Sequence, residues 1–293
     1  MESRYVETEP GVQVLIHTQR PPDPIRGELV LVHGLEGSSN AGYLRSMAQL
    51  ALEAGYGVHR TNMRSCGGTE HLSRTMYHAG LTGDTLHLIE QLRRERPDVP
   101  VFLVGYSLGG NVSLKLAGEL GERARGLLAG VCGVSTPIDL GACVRKMAER
   151  QNRIYEWRFI TRLKQRIRDR AVTQPGVYAL DLLETCRTVY EFDDRITAPY
   201  FGFATADNYY ATQSSNQYLG RIAIPCLLVQ AKDDPLIPFE VFDIPAIREN
   251  PNIKLMAAEH GGHLGFVSNT WPRFWVDRVI LDWVEAQRES YLR

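Results

Sequence analysis

Residues 101–111, Val-Phe-Leu-Val-Gly-Tyr-Ser-Leu-Gly-Gly-Asn, constrain what this chain can become more than any other stretch. Val101 to Val104 is an apolar run of strand length with a β-branched bias. Gly105-Tyr106-Ser107-Leu108-Gly109 follows at once, and the spacing from Asn111 to Leu120 is helical. Strand, G-x-S-x-G, helix is the context in which a serine is raised on a sharp turn above the end of a sheet. The turn forces strained dihedrals on the serine and crowds the positions two before and two after it against the neighbouring strand and helix. Those positions must be small, and Gly105 and Gly109 occupy them.

The rest of the chain alternates in the way such a unit requires. Short apolar runs near 12–18, 28–32, 57–62, 126–134, 223–231 and 253–257 read as strands. Helical patterns occupy 43–54, 78–96, 111–120 and 271–291 between and after them. Strands alternating with helices imply an α/β chain with a mostly parallel central sheet and helices on both faces. One interval breaks the alternation. Residues 136–220 hold helices and aromatic-rich loops without a core strand, and both flanks are core strands. The expected organisation is a core of residues 1–135 and 221–293 interrupted by a helical cap or lid insertion at 136–220.

Composition narrows the partners. The formal net charge is −1, so no global field favours nucleic acid or an anionic surface. Charge concentrates locally at 158–170, where arginines and a lysine interleave with Phe159, Ile160, Leu163 and Ile167. That pattern fits an amphipathic helix with a solvated basic face, or contact with a headgroup or membrane surface. Five cysteines, an odd number without a C-x-x-C pair, give neither a disulfide framework nor a zinc site. The N-terminal residues lack a signal-peptide apolar region, and no stretch is apolar for long enough to span a bilayer. The expectation is a cytoplasmic monomer or homodimer with no integral membrane segment, no nucleic acid partner and no metal or organic cofactor.

A serine nucleophile needs a base, and the base needs an orienting acid. Behind this type of turn the partners follow in the order acid, then histidine. The run Ile224–Ala231 ends in Lys232-Asp233-Asp234-Pro235, and the run Ile253–Ala257 is followed by Glu259-His260-Gly261-Gly262-His263-Leu264-Gly265. Asp233 and Asp234 compete as the acid, and His260 and His263 as the base. A tetrahedral intermediate also needs two N–H donors. Leu108, directly after the serine, supplies one. The loop His33-Gly34-Leu35-Glu36-Gly37 supplies the other, with Leu35 as first choice and Glu36 as the alternative. His33 precedes a glycine in a tight loop and is expected to brace it.

These segments resemble the α/β-hydrolase superfamily, and within it the YheT-like, or abhydrolase-4, group. The likeness is carried by HGLEGSS at 33–39, NMRSCGG at 62–68, TMYHAGLTGD at 75–84, VGYSLGGN, EFDDRITAPYFGF at 191–203 with Tyr209-Tyr210, AKDDPLIP and EHGGHLGF. It covers nearly the whole chain. It implies the α/β-hydrolase fold and a triad of Ser107, Asp234 and His263; Asp234 has the family's D-x-x-x-P spacing to Pro238, and His263 its G-H-x-G-F setting. Ser65 departs from the group, which more often has glycine in its N-x-R-G-C-G-G loop. The expected activity is cleavage of small to medium-chain carboxylic esters through an acyl-enzyme, the substrate being a small-molecule or lipid-like ester. The alternatives are acyl transfer to an alcohol and, on the same scaffold, a non-catalytic ligand receptor. The aromatic residues of the insertion, Trp157, Phe159, Tyr178, Tyr190, Phe192, Tyr200, Phe201, Phe203, Tyr209 and Tyr210, are candidates to line an acyl pocket.

Overall fold

The computed structural model describes residues 1–291. Eight strands form one sheet: β1 (Glu2–Glu9), β2 (Val12–Gln19), β3 (Glu28–Val32), β4 (Gly57–Thr61), β5 (Val101–Tyr106), β6 (Gly130–Val134), β7 (Cys226–Ala231) and β8 (Ile253–Ala258). Their order is β1-β2-β4-β3-β5-β6-β7-β8. β1, β2 and β4 pair antiparallel, and every other neighbouring pair is parallel. Strands β3 to β7 are buried along their whole length, as expected of parallel strands covered on both faces.

Side-chain alternation divides each central strand between two cores. Leu29, Leu31, Phe102 and Val104 face α1 (Gly42–Glu53) and the terminal helix, which supply Leu44, Met47, Ile280 and Val284. Val30, Val32, Val101 and Leu103 face the opposite core, which takes in α2 (Gly83–Glu95) and α3 (Leu108–Leu120). Between β6 and β7 lie α4 (Leu140–Met147), α5 (Arg153–Thr173), α6 (Leu180–Thr185), α7 (Val189–Phe192), α8 (Ala198–Tyr200) and α9 (Ala206–Gln213). A π-helical turn at Asp193–Thr197 joins α7 to α8. The short α10 (Pro245–Glu249) precedes β8, and α11 (Trp275–Tyr291) ends the described chain.

β6 and β7 begin later than the apolar runs, at Gly130 and Cys226, and three further differences from the sequence pattern have a physical reason. β1 has no apolar periodicity because only Val6 is buried; it is an edge strand held by its backbone ladder to β2. The helical pattern from 78 starts as helix only at Gly83, since residues 75–80 run beneath the inserted segment as a loop. Likewise α11 begins at Trp275 rather than Trp271, because Trp271 and Pro272 belong to the loop after His263. All five cysteines are buried and free.

Candidate active site

The last residue of β5 passes directly into Ser107, whose φ of 52° and ψ of −123° lie where non-glycine residues are rarely found. The surroundings hold it there. Ser107 N–H donates to Val134 O at 2.8 Å. A methyl group on Gly105 would sit 2.2 Å from Gly109 O, and one on Gly109 would sit 2.4 Å from His33 O. Both glycines are therefore required by backbone approach, the reason given above for small residues at these places.

Ser107 Oγ lies 3.0 Å from His263 Nε2, and His263 Nδ1 lies 3.0 Å from Asp234 Oδ2. The serine hydroxyl donates to Nε2 when Nδ1–H donates to the carboxylate. Asp234 is enclosed at the end of β7, where Oδ1 accepts the Leu236 and Ile237 amides at 2.9 and 3.2 Å and Oδ2 accepts Gln230 Nε2 at 3.1 Å. Asp233 points elsewhere. Its Oδ1 accepts the amides of Gly261 and Gly262 at 2.9 and 2.8 Å, and its Oδ2 is 3.3 Å from His260 Nδ1. The Gly262 amide, with His260 and the Gly261 amide, holds the Asp233 carboxyl below the usual carboxylate range. Asp233 thus ties down the loop that presents His263, while His260 is largely exposed.

Leu35 and Leu108 both border the cavity that opens at Ser107. Among the described residues neither main-chain N–H has an acceptor. The neighbouring Glu36 N–H is taken, donating to Tyr77 Oη at 3.0 Å, which leaves Leu35 as the free donor of this loop. His33 braces the loop from beneath. Met63 N–H donates to its Nε2 at 3.1 Å, so the proton sits on Nδ1 and is given to Gly34 O at 2.8 Å. Burial pushes His33 down to about 4, which keeps it neutral. Tyr43 Oη accepts Gly34 N–H at 3.0 Å.

Several residues position the site through contacts between segments far apart in the sequence. Tyr77 Oη donates to Glu36 Oε1 at 2.8 Å, and Arg166 Nε, from α5, donates to the same oxygen at 2.7 Å. Arg166 also donates to Ser65 O. Arg170, fully buried, donates to Ser65 Oγ, to Arg74 O at 2.8 Å and to Tyr178 Oη at 2.6 Å. Ser65 has a φ of 63°, which accounts for glycine being the commoner residue there. Its hydroxyl gives Arg170 an acceptor that glycine would lack. Asn111, at the start of α3, donates to Ala79 O and Gln213 O at 2.9 Å each and accepts Ser215 N–H at 2.8 Å. It fastens the elbow helix to the inserted segment.

Beside Ser107 lies a mostly apolar cavity of about 110 Å³. Phe159, Phe192, Phe201, Tyr209 and Tyr210 line it, together with Met147 and Ile167. Of the remaining aromatic candidates, Trp157 is exposed and Tyr190 half-exposed, Tyr178 and Tyr200 stack on each other at 5.3 Å, and Phe203 packs against Tyr209 at 5.1 Å. A second, open groove has Ser107 and His263 on its floor and Tyr155, Arg158, Phe159 and Arg162 along one wall. Among the described residues no cluster of three or more His, Cys, Asp or Glu could hold a metal ion, and no helix is long and apolar enough to cross a membrane.

A serine on a strand–helix elbow of a parallel sheet, followed in order by an acid and a histidine, is the arrangement of an α/β hydrolase. A family model described as the alpha/beta hydrolase fold matches residues 28–270, and the chain belongs to that family. Within it the chain falls in the YheT-like group, as a hydrolase of the esterase and lipase class. It is 35% identical over 266 residues to the putative esterase YheT of Escherichia coli (strain K12), covering 89% of this chain and 77% of that protein. It is 29% identical to phospholipase ABHD3 of Mus musculus, covering 90% of this chain and 64% of the relative, so it spans less than two thirds of that protein. Among solved structures, the Pyrococcus furiosus esterase Pf2001 matches with a TM-score of 0.65 at 16% identity, over 100% of this chain and 91% of that one. Est1E from Butyrivibrio proteoclasticus matches at 0.62 and 14%, over 97% and 98%. At those identities the two structures speak for the fold alone.

Proposed function

We propose that the chain hydrolyses carboxylic esters of small to medium acyl groups through an acyl-enzyme on Ser107. One observation carries the reading: an unbroken relay from Ser107 Oγ to His263 Nε2 and from His263 Nδ1 to a buried Asp234, with both steps at 3.0 Å. In this reading His263 takes the hydroxyl proton as Oγ attacks the ester carbonyl, and Asp234 fixes the imidazole tautomer and stabilises the imidazolium. The Leu35 and Leu108 amides receive the oxyanion, where one donor is typically worth ~10²–10³ in turnover. His263 then protonates the departing alcohol, and water releases the acid by the same route. Relatives named esterase, phospholipase and monoacylglycerol lipase support an ester substrate.

Residues 136–220 act as a cap over the acyl side of the site. Cavity size bears on chain length. A cavity of about 150 Å³ holds a benzene molecule, so 110 Å³ suits a short acyl group, and longer chains require the inserted helices to shift. The test is a series of p-nitrophenyl esters from acetate to laurate, with Ser107→Ala as control. Turnover should be highest for the shorter chains and vanish in Ser107→Ala while its circular dichroism is unchanged. Turnover that survives the substitution overturns the reading.

A further inference from the structure

Helix α5 has two faces, and only one is occupied. Ile160, Leu163, Ile167 and Arg170 are buried beneath it. Facing away are Ile154, 78% exposed, and Trp157, 67% exposed, with Tyr155 half-bare beside them. Positions 154, 157, 158, 161 and 162 share one side of a helix, so these apolar side chains stand among the exposed Arg158 and Arg162, with Arg153 adjoining. Further along the helix the basic residues are committed, Arg166 to Glu36 and Arg168 to Glu184. Among the described residues Arg153, Arg158 and Arg162 have no carboxylate partner. Among the described residues of α5 the one acid at this end, Glu156, is turned inward; Glu149, just before the helix, is paired with Lys146, and exposed Asp169 and Glu184 belong to the other end. Val172, five helical turns from Ile154 and therefore on the same strip, is again bare at 80%.

A bare tryptophan and isoleucine among unpaired arginines are poorly suited to water and well suited to a bilayer surface. The rings and branched chain enter the headgroup boundary, and the guanidinium groups meet lipid phosphates. The chain's net charge of −1 offers no general attraction, so it would come from this face. The position of the face is informative too. Tyr155, Arg158 and Arg162 form one wall of the open groove whose floor is Ser107 and His263. We infer that the outer face of the N-terminal half of α5 docks on anionic phospholipid membranes, turning that groove toward the lipid. An apolar ester then reaches Ser107 from the bilayer without crossing water. Docking itself does not depend on the chemistry at Ser107.

The experiment is co-sedimentation with vesicles of phosphatidylcholine alone and of phosphatidylcholine with phosphatidylglycerol, at low and high salt. The protein should bind the mixed vesicles, bind the neutral ones weakly, and be released by salt. Arg153→Glu should weaken binding about 25-fold, two charge units at about fivefold each. Ile154→Ser with Trp157→Ser should abolish it, along with the blue shift of tryptophan emission on the vesicles. None of these three residues lines the groove or cavity, so p-nitrophenyl acetate turnover should be unchanged in the variants; that control keeps loss of docking separate from loss of the site. Equal binding to both kinds of vesicle, or unaltered binding by Arg153→Glu, overturns the inference. So does a dimer in sedimentation velocity that Ile154→Ser with Trp157→Ser converts to monomer, because the face would then be an interface between copies.

Discussion

Ser107, His263 and Asp234 are each held by main-chain geometry rather than by side-chain packing alone, and the acid makes this most testable. Asp234 Oδ1 is occupied by two amides that fix the turn after β7, while Oδ2 faces His263 and Gln230. Asparagine retains an oxygen for the two amides but turns an NH₂ toward His263. The imidazole must then present a lone pair at Nδ1 and carry its proton at Nε2, where it cannot accept the hydroxyl proton. Asp234→Asn should therefore lower kcat by up to ~10⁴-fold, the cost of the wrong tautomer in such a relay. Single-turnover acylation with a p-nitrophenyl ester measures it. Asp233→Asn, by contrast, leaves Oδ2's partner on the surface and an oxygen for the two glycine amides. It should cost far less, and equal losses in the two variants would contradict the assignment of Asp234 as the acid.

Among the elements, α5 does more than cover the site. Arg166 reaches from it to Glu36, one residue past the free Leu35 amide, and Glu36 has a φ of 55°. Tyr77 holds the same residue by both its amide and its carboxylate. The loop proposed to hold the oxyanion is thus fixed from the inserted segment and from the loop before α2 together. Removing Arg166 leaves the Glu36 carboxylate, 4% exposed, without its cation, a costly state for a buried charge. Arg166→Gln should lower kcat roughly ten- to hundredfold, part of the value of a whole oxyanion donor, with KM for a short ester little changed. A fall in thermal stability with kcat intact would assign Arg166 to packing instead. This coupling also marks where sequence reading ends. Ser107 directly follows β5, and Leu35, Asp234 and His263 stand in the loops after β3, β7 and β8; the ends of strands and the loops that follow them are legible from apolar runs and turn residues. Glu36 and Arg166 are 130 residues apart and have no periodicity in common. β1 went unread for a related reason, since an edge strand buries only Val6 and needs no apolar alternation. The asparagine of the S-L-G-G-N run was visible, but its three hydrogen bonds to residues around 79 and 213–215 exist only after folding.

At the scale of the whole molecule, buried ionisable groups oppose one another across mildly acidic pH. Burial raises Asp277 from 3.8 to about 7 and Asp193 from 3.8 to about 6, against the hydrogen bonds each accepts. Each binds its proton more tightly folded than unfolded, so its contribution is full below pH 4 and is lost as pH rises toward the folded value. His33 and His78 run the other way. Burial lowers both from 6.5 to about 4, so their contribution is full above pH 6.5 and is lost as pH falls toward 4. Between those limits the four slopes offset, and substituting one group exposes the others. Asp277 is the group to choose. It packs on the side of α11 away from the inserted segment, accepts Ser46 Oγ–H at 2.6 Å, and its Oδ1 is buried without a partner among the described residues. Asp277→Asn keeps an oxygen for Ser46 and removes the charge. It should be more stable than the parent at pH 8 by on the order of a few kcal/mol, and the advantage should shrink as pH falls through 7 and vanish near 4. Urea unfolding midpoints of both proteins at half-unit pH steps measure the difference directly. A constant offset across that range would mean that Asp277 is ionised in the folded protein throughout, its burial offset by contacts stronger than the hydrogen bond from Ser46.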